Sequence, residues 1–434
     1  MLSKCFASIP IKHNMYAVYN TLLADPIFVS SDEYAEILSG EVSQKFNEIL
    51  VKKGVFVSDV QEDIHRINYV RSKSQSRIGT NNFVILIMAD FCNLSCDYCI
   101  EKQYNNVYKG NCMKKDVIDS FFDMVSSRLI NLTPDVEFVL YGGEPLLNLE
   151  GIEYFLERRS NLLPQSKCSI VTNAVLLNKD IINLFKRKNV SIGISIDGPK
   201  EVTDAHRKYK AGRKSVFDDV QAVIPILCES GIDWGMSITI TNELIKHKND
   251  FFIWLNETKP KAVSFNLLKL AFEPSEKHAA VTYYKAAAEF VIEAHIKLLD
   301  MGITERDITR KIGYFAECQP VISDCAAASL NQLTINTNGD IHSCQCSMER
   351  MNCFGNVSDP ESFKMPQECL TMYKNLPIYR DVCLHCCALP ICGGGCLVQG
   401  KSLYCDNQYM DQGYCEYARS IMKWIYERLY SAIV

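Results

Sequence analysis

The chain has 434 residues, 47% of them hydrophobic, which suits two or three packed domains rather than one. Its 46 basic and 51 acidic residues are interspersed at a net charge of −5, so neither a nucleic-acid groove nor a polybasic membrane patch is indicated. Twenty cysteines would imply disulfides in a secreted protein, but the start Met1-Leu2-Ser3-Lys4-Cys5 lacks the apolar core of a signal peptide and no apolar run approaches bilayer length, so the expectation is a cytoplasmic metalloprotein.

Residues 1–80 read as a small α+β unit, with strands over 15–20, 26–29 and 54–57 and helices over 32–38 and 42–52. A helix–helix–strand unit of this size resembles the winged-helix element with which peptide-modifying enzymes grip the leader of their substrate, adding the peptide to a sheet edge. A plain extension packed on the next domain is the equal alternative. Residues 69–82, rich in Arg, Ser, Lys and Asn, predict a linker.

From 81 to about 270, short aliphatic runs alternate with longer helical stretches, which predicts a parallel sheet with helical crossovers. The strands are expected over 83–89, 136–141, 168–172, 190–196, 232–241 and 262–268. In barrels of parallel strands the chemistry gathers on loops at the strands' C-terminal ends.

The first strand runs into Cys92-Asn93-Leu94-Ser95-Cys96-Asp97-Tyr98-Cys99. A [4Fe–4S] cluster normally takes four thiolates, so three at this spacing leave one iron open to a small chelating molecule. Zinc sites pair their ligands as CxxC and close with a fourth Cys or His, and no such partner lies close by in the sequence. The second strand ends in Tyr141-Gly142-Gly143-Glu144-Pro145, where two glycines permit close backbone approach to a ligand and Glu144 fixes the turn. Together these motifs resemble the radical S-adenosylmethionine (SAM) signature, CxxxCxxC with an aromatic residue before the last cysteine, followed by GGEP. The resemblance implies a partial (β/α)6 TIM-like barrel in which Cys92, Cys96 and Cys99 hold a [4Fe–4S] cluster. It also implies that Tyr98, Gly142, Gly143, Glu144 and Pro145 belong to the SAM site. Two further strand ends carry family-like residues: Asn173 in Thr172-Asn173-Ala174, where relatives read TNG, and Ser195 with the downstream Arg207, candidates for the SAM ribose and carboxylate. Strand-end hydrogen bonding and a salt bridge are the alternatives for the last two.

Thirteen of the twenty cysteines lie beyond residue 315. Cys325, Gly339, Cys344, Cys383, Cys386, Cys392, Cys396 and Cys415 form the pattern C-x13-G-x4-C, gap, C-x2-C-x5-C-x3-C, gap, C, which resembles the seven-cysteine SPASM signature of radical SAM maturases. With Cys318 there are eight thiolates, enough for two auxiliary [4Fe–4S] clusters. The family topology implies Cys318, Cys325, Cys344 and Cys396 for one and Cys383, Cys386, Cys392 and Cys415 for the other. Zinc is the alternative, given His385 between CxxC cysteines. Cys346, Cys353, Cys369, Cys387 and Cys405 are left over, and two of these adjoin expected ligands and could substitute for one. Residues 417–434 predict an amphipathic helix packed on its own domain.

The domains expected are a leader-binding unit (1–80), a radical SAM core (81–305) and a SPASM domain (306–434). The resemblance implies an enzyme with three [4Fe–4S] clusters that cleaves SAM reductively to a 5′-deoxyadenosyl radical. That radical takes hydrogen from a ribosomally made precursor peptide to form a thioether, carbon–carbon or ether cross-link. The auxiliary clusters accept or relay the remaining electron, and a flavodoxin or ferredoxin supplies the first. Two alternatives are formylglycine formation, as in sulfatase maturases, and a noncatalytic metal-binding peptide scaffold. Sulfatase maturases carry an acid directly after the cysteine equivalent to Cys344, where this chain has Gln345.

Overall fold

The computed structural model describes residues 1–75, 81–104, 110–212, 214–269, 277–318, 320–346, 348, 352–404 and 410–434. Three antiparallel strands open the chain: β1 (Phe6–Ile11), β2 (Met15–Asn20) and β3 (Ile27–Ser30), in the order β1-β2-β3. Ser30 caps the helix Ser31–Ser39 through a reciprocal bond with Glu33, and Gly40 ends it in the left-handed conformation. Helices Gln44–Lys52 and Val60–Gln75 complete the unit.

Two expectations change here. Residues 69–75 belong to the helix Val60–Gln75 rather than to a linker, because Ile67 and Ser74 are buried and Arg71 Nε donates to Ile378 O at 3.1 Å. Of the rest of the expected linker, residues 76–80 lie outside the described residues, and Asn81 and Asn82 lead directly into the next strand. Residues 54–57 form only a bridge between Leu2 and Phe56, since Val55 and Phe56 N–H groups turn back onto Leu50 O.

Six parallel strands follow side by side in chain order: β4 (Phe83–Ala89), β5 (Glu137–Gly142), β6 (Lys167–Thr172), β7 (Ser191–Ser195), β8 (Trp234–Ile240) and β9 (Ala262–Leu267). They are the strands read from the sequence. Parallel neighbours in chain order need crossovers on one side of the sheet, and the result is a partial barrel. On β7 and β8 burial alternates, with Ile192, Ile194, Met236 and Ile238 under the outer helices. Ser195, Ser237 and Thr239 point instead into the barrel and line a cavity. Small polar residues thus leave open the interior that a closed eight-stranded barrel fills with branched side chains.

The sheet does not stop at these strands. β10 (Thr304–Glu305) extends it beyond β9, and β11 (Gln332–Ile335) runs parallel to the other edge strand, pairing Leu333 with Val84 and Ile335 with Leu86. β12 (Asp340–His342) and β13 (Cys353–Asn356) add antiparallel to make ten strands. The cysteine-rich C-terminal region is therefore joined to the barrel through backbone hydrogen bonds.

The helix expected near the C-terminus spans Gln412–Ile433 and packs along the long helix Lys277–Asp300, where Ala287, Ala288 and Ala294 permit close approach. Its Tyr426 ring lies 4.8 Å from that of Tyr19. It thus packs on the barrel's long helix and the N-terminal sheet, beyond its own region. Ser74 Oγ and Tyr373 OH, 2.6 Å apart, and Tyr19 OH donating to Cys387 O at 2.5 Å fasten the N-terminal unit to the C-terminal region.

Candidate active site

The chain leaves β4 at Ala89 and enters the loop that carries Cys92, Cys96 and Cys99, which is stitched to the segment after β7. Ser95 N donates to Lys208 O at 2.7 Å, Asp97 N to His206 O at 3.3 Å, and Leu94 bridges Tyr209. Asp197, fully buried, is the hub of that clamp. Its carboxylate accepts Arg207 Nε and Nη2, both at 3.0 Å, Thr239 N at 3.0 Å, and the Tyr98 hydroxyl. This is a bidentate, desolvated ion pair, and it commits the fork of Arg207, expected at the SAM carboxylate, to Asp197. The Arg207 guanidinium also lies 5.6 Å from the centre of the Tyr98 ring. Leu94 N at 3.3 Å and Asn173 Nδ2 at 3.6 Å donate to Cys92 Sγ.

Gly142 and Gly143 are needed by this loop's backbone as much as by any ligand. A Cβ on Gly142, which has φ +138°, would stand 2.2 Å from Ala89 O, and one on Gly143 2.3 Å from Phe91 O. Gly143 N and Glu144 N donate to those same two carbonyls at 2.9 Å. Glu144 is buried, and its carboxylate accepts from Thr172 Oγ1 at 2.7 Å, Asn173 N at 2.8 Å and Leu146 N at 3.0 Å. Burial pushes its pKa up to about 7 against the three hydrogen bonds that pull it down. Glu144 thus ties the end of β5 to the end of β6. Ala174 takes a left-handed φ of +64°, the conformation that the glycine of TNG would adopt without strain.

These strand ends surround a cavity of about 720 Å³. Cys92, Cys96 and Cys99 face it from one side, with Tyr98, Gly142, Gly143, Glu144, Asn173, Ser195 and Arg207 around them. Pro145 stands behind the wall as the first residue of a 3₁₀ turn. Burial raises the Cys92 thiol to about 12 and the Cys96 thiol to about 11. The C-terminal region also lines it, with Cys325, Cys344, Cys346 and Cys396, as does Lys269 just after the last barrel strand, and Ile100 beside Cys99 packs against Cys344 and Cys346. Gln345 also lines the cavity and accepts from Gln332 Nε2 at 3.1 Å.

Farther out, Cys383, Cys386, Cys392 and Cys415 interact electrostatically as one group. The Cys387 thiol beside it and Arg419 hold Cys386 low, at about 5, whereas burial raises Cys415 to about 12. A polar knot separates the two cysteine groups: Lys311 Nζ donates to Asp324 at 3.0 Å, Tyr414 OH at 3.0 Å and Ile391 O at 3.1 Å, and Tyr414 OH donates to Asp324 at 2.6 Å. Asp324 and Tyr414 precede Cys325 and Cys415 in the chain. Cys318 is not with its expected partners: it is exposed and lines a second cavity of about 440 Å³. Of the leftover cysteines, Cys369 is fully buried, Cys353 lies in β13, and Cys405 is outside the described residues.

Residues 86–252 match the family model described as the radical SAM superfamily, a span that holds the cysteine triplet, Gly142–Glu144, Asn173, Ser195 and Arg207. This chain is a radical SAM enzyme. It is 23% identical over 448 residues to the radical SAM cyclopropyl synthase TigE of Paramaledivibacter caminithermalis, covering 96% of this chain and 90% of that protein. Among solved structures, native anSMEcpe with bound AdoMet matches 81% of this chain and 98% of its own at TM-score 0.66 and 20% identity. SuiB of Streptococcus suis bound to its precursor peptide SuiA matches 96% and 99% at TM-score 0.53 and 15% identity. These likenesses place the fold in the radical SAM partial-barrel class with a SPASM-like, cysteine-rich C-terminus.

The donor set of this radical SAM enzyme fits the cofactors its family uses. Three soft thiols face an open cavity, as a cubane with one iron left for a chelating ligand requires. Among the described residues no three metal-binding side chains already converge on a single ion. Burial keeps several of the thiols protonated without metal, so loading releases protons. Sequence reasoning missed Asp197, although it stands two residues after Ser195. A lone carboxylate at a strand end, ten residues before an arginine, was the available signal. Lys269 carried no motif at all, and its place on the wall follows from topology.

Proposed function

We propose that this radical SAM enzyme matures a ribosomally made peptide, and that Cys92, Cys96 and Cys99 hold the SAM-binding cluster. The observation that carries the reading is the cavity, lined by the triplet and by auxiliary cysteines alike, so that a side chain inserted there meets both a radical source and an electron acceptor. A reduced cluster held by Cys92, Cys96 and Cys99 with SAM on its open iron would supply the radical chemistry needed to take a hydrogen atom from an unactivated carbon. The Asp197–Arg207–Tyr98 clamp holds the triplet loop, while Gly142 and Gly143 bring backbone to the ligand's edge. Asn173 and Leu94 N–H groups temper the charge on Cys92. Ser195, Ser237 and Thr239 offer a polar wall, and closure of the cavity around the substrate excludes water and other quenchers.

The N-terminal unit is read as the leader-binding domain. Its β3 is an edge strand, suited to pairing with an extended peptide, and likeness to TigE and SuiB runs over 96% of the chain against 81% for anSMEcpe. An intrapeptide cross-link (thioether, carbon–carbon or ether) is the product class, and a flavodoxin or ferredoxin is the electron donor. Formylglycine formation is less favoured because Gln345, an amide already bonded to Gln332, stands where the acid would be. Among the described residues no helix is long and apolar enough to cross a membrane.

The test is anaerobic. The reduced, cluster-loaded protein with SAM should release 5′-deoxyadenosine, and a peptide encoded beside its gene should then lose one pair of hydrogens. The triple variant Cys92→Ala, Cys96→Ala, Cys99→Ala should do neither, with iron falling from about twelve to about eight per chain. Absence of 5′-deoxyadenosine from fully loaded protein removes the catalytic reading, whereas an aldehyde captured by a hydrazide probe marks formylglycine instead.

A further inference from the structure

The assignment carried over by family topology places Cys318 with Cys325, Cys344 and Cys396, and the structure disagrees about one member of that set. Cys318 follows the helix Arg306–Ala316 in a left-handed turn of φ +49°, is exposed, and faces the second cavity beside Leu22, Tyr69 and Glu317. The chain after it is pinned elsewhere: Val321 N donates to Pro390 O and Asp324 N to Gly393 O, each at 3.1 Å. These bonds fix residues 321–324 against the loop at 390–393, and Cys318 stays on the side of the N-terminal unit.

Cys346 has the opposite placement. It is 7% exposed and lies on the wall of the main cavity with Cys325, Cys344 and Cys396. The chain turns at residues 345–346 after β12, and Cys346 N donates to Cys344 Sγ at 3.3 Å, which folds the second cysteine back onto the first. The two thiols come within hydrogen-bonding reach of each other. Both pack with Ala327 and Cys325 in one small apolar cluster. Four thiols therefore gather at this wall, and Cys318 is not one of them.

We propose that Cys346, and not Cys318, is the fourth thiolate of the auxiliary cluster nearest the SAM site, with Cys325, Cys344 and Cys396. Each of the four gives up its proton to bind iron, and four thiolates complete a cubane with no iron left open to substrate. The proposal rests on the reading above only in taking the C-terminal cysteines to hold iron–sulfur rather than zinc. Cys318 is left as a free thiol in the second cavity.

The test uses full-length protein in the Cys92→Ala, Cys96→Ala, Cys99→Ala background, where about eight irons remain if both auxiliary clusters load. Cys346→Ala, Cys318→Ala and Cys325→Ala are each added, and iron, sulfide and EPR are measured beside circular dichroism. Cys346→Ala is expected to lose about half of the iron, as Cys325→Ala does, while Cys318→Ala keeps it all. A further variant, Cys346→Asp, whose carboxylate can still ligate iron, is expected to retain iron with an altered EPR spectrum, which a mere packing role does not produce. Full iron in Cys346→Ala with an unchanged EPR spectrum overturns the proposal, and so does any loss of iron in Cys318→Ala. Zinc in place of iron before any C-terminal substitution sinks the cofactor reading beneath it and the proposal with it.

Discussion

The clamp on the cysteine loop makes a quantitative prediction. Asp197 and Arg207 are buried, 0% and 8% exposed, and joined by two hydrogen bonds of 3.0 Å. Removing either partner strands the other's charge in a low-dielectric site, at about 3–5 kcal/mol for each single change. That is a large part of the about 5–15 kcal/mol that keeps a typical protein folded. Asp197→Ala also orphans the Tyr98 hydroxyl and Thr239 N–H, whereas the double variant Asp197→Ala, Arg207→Met leaves neither charge of the clamp buried. The double variant should therefore be markedly more stable than the sum of the singles implies, with a coupling energy of about 2 kcal/mol or more. Denaturant midpoints of the metal-free protein measure it. Because Tyr98 sits beside Cys99, the singles should also lose the triplet's iron, about four per chain. A coupling below about 0.5 kcal/mol, the ordinary scatter of independent sites, would refute the claim that this pair holds the loop.

The buried carboxyl of Glu144 gives a pH test. Its pKa rises from the ordinary 4.5 to about 7, so between those values the folded state holds a proton that the unfolded chain has lost. Stability is therefore expected to fall as pH rises through that window, by about 3 kcal/mol in all. Glu144→Gln should flatten this slope while leaving Asn173 N–H facing an amide donor, a constant cost of about 1–3 kcal/mol. Identical slopes in both proteins would count against the assignment. Gly143→Ala forces a Cβ to within 2.3 Å of Phe91 O and should cost about 2 kcal/mol or more, with loss of iron at the triplet. Unchanged melting and iron content would show that the loop has slack the structure does not indicate.

The barrel was legible because its strands are buried on the sheet and spell themselves as aliphatic runs; Phe83-Val84-Ile85-Leu86-Ile87-Met88-Ala89 has no other comfortable conformation. The triplet and Gly142–Glu144 were legible because their chemistry is contiguous in sequence. What stayed hidden depends on approach through space. The last turns of the helix Val60–Gln75 are so polar that residues 69–75 read as linker, and only their docking partners near residues 373–379 reveal a buried side. Arg207 was read as a candidate for the SAM carboxylate with a surface salt bridge as the alternative, and the buried partner Asp197 went unnamed because a carboxylate ten residues away in sequence is a weak signal of contact. The family pattern points to Cys318 and leaves Cys346 over, and only the placement of the turn at residues 345–346 shows which of them reaches the cavity.

The pairing of β11 with β4 also bears on how the chain comes into being. Synthesis exposes the apolar strand at 83–89 long before its partner at 332–335 leaves the ribosome. At 5–20 residues per second the interval is about 12–50 s. Through that time one edge of the most hydrophobic strand in the nascent barrel waits without its final neighbour, a ready template for pairing with a second nascent chain. Holding the cysteine-rich region against the radical site thus carries a biosynthetic burden, one that makes this protein a natural client for chaperones.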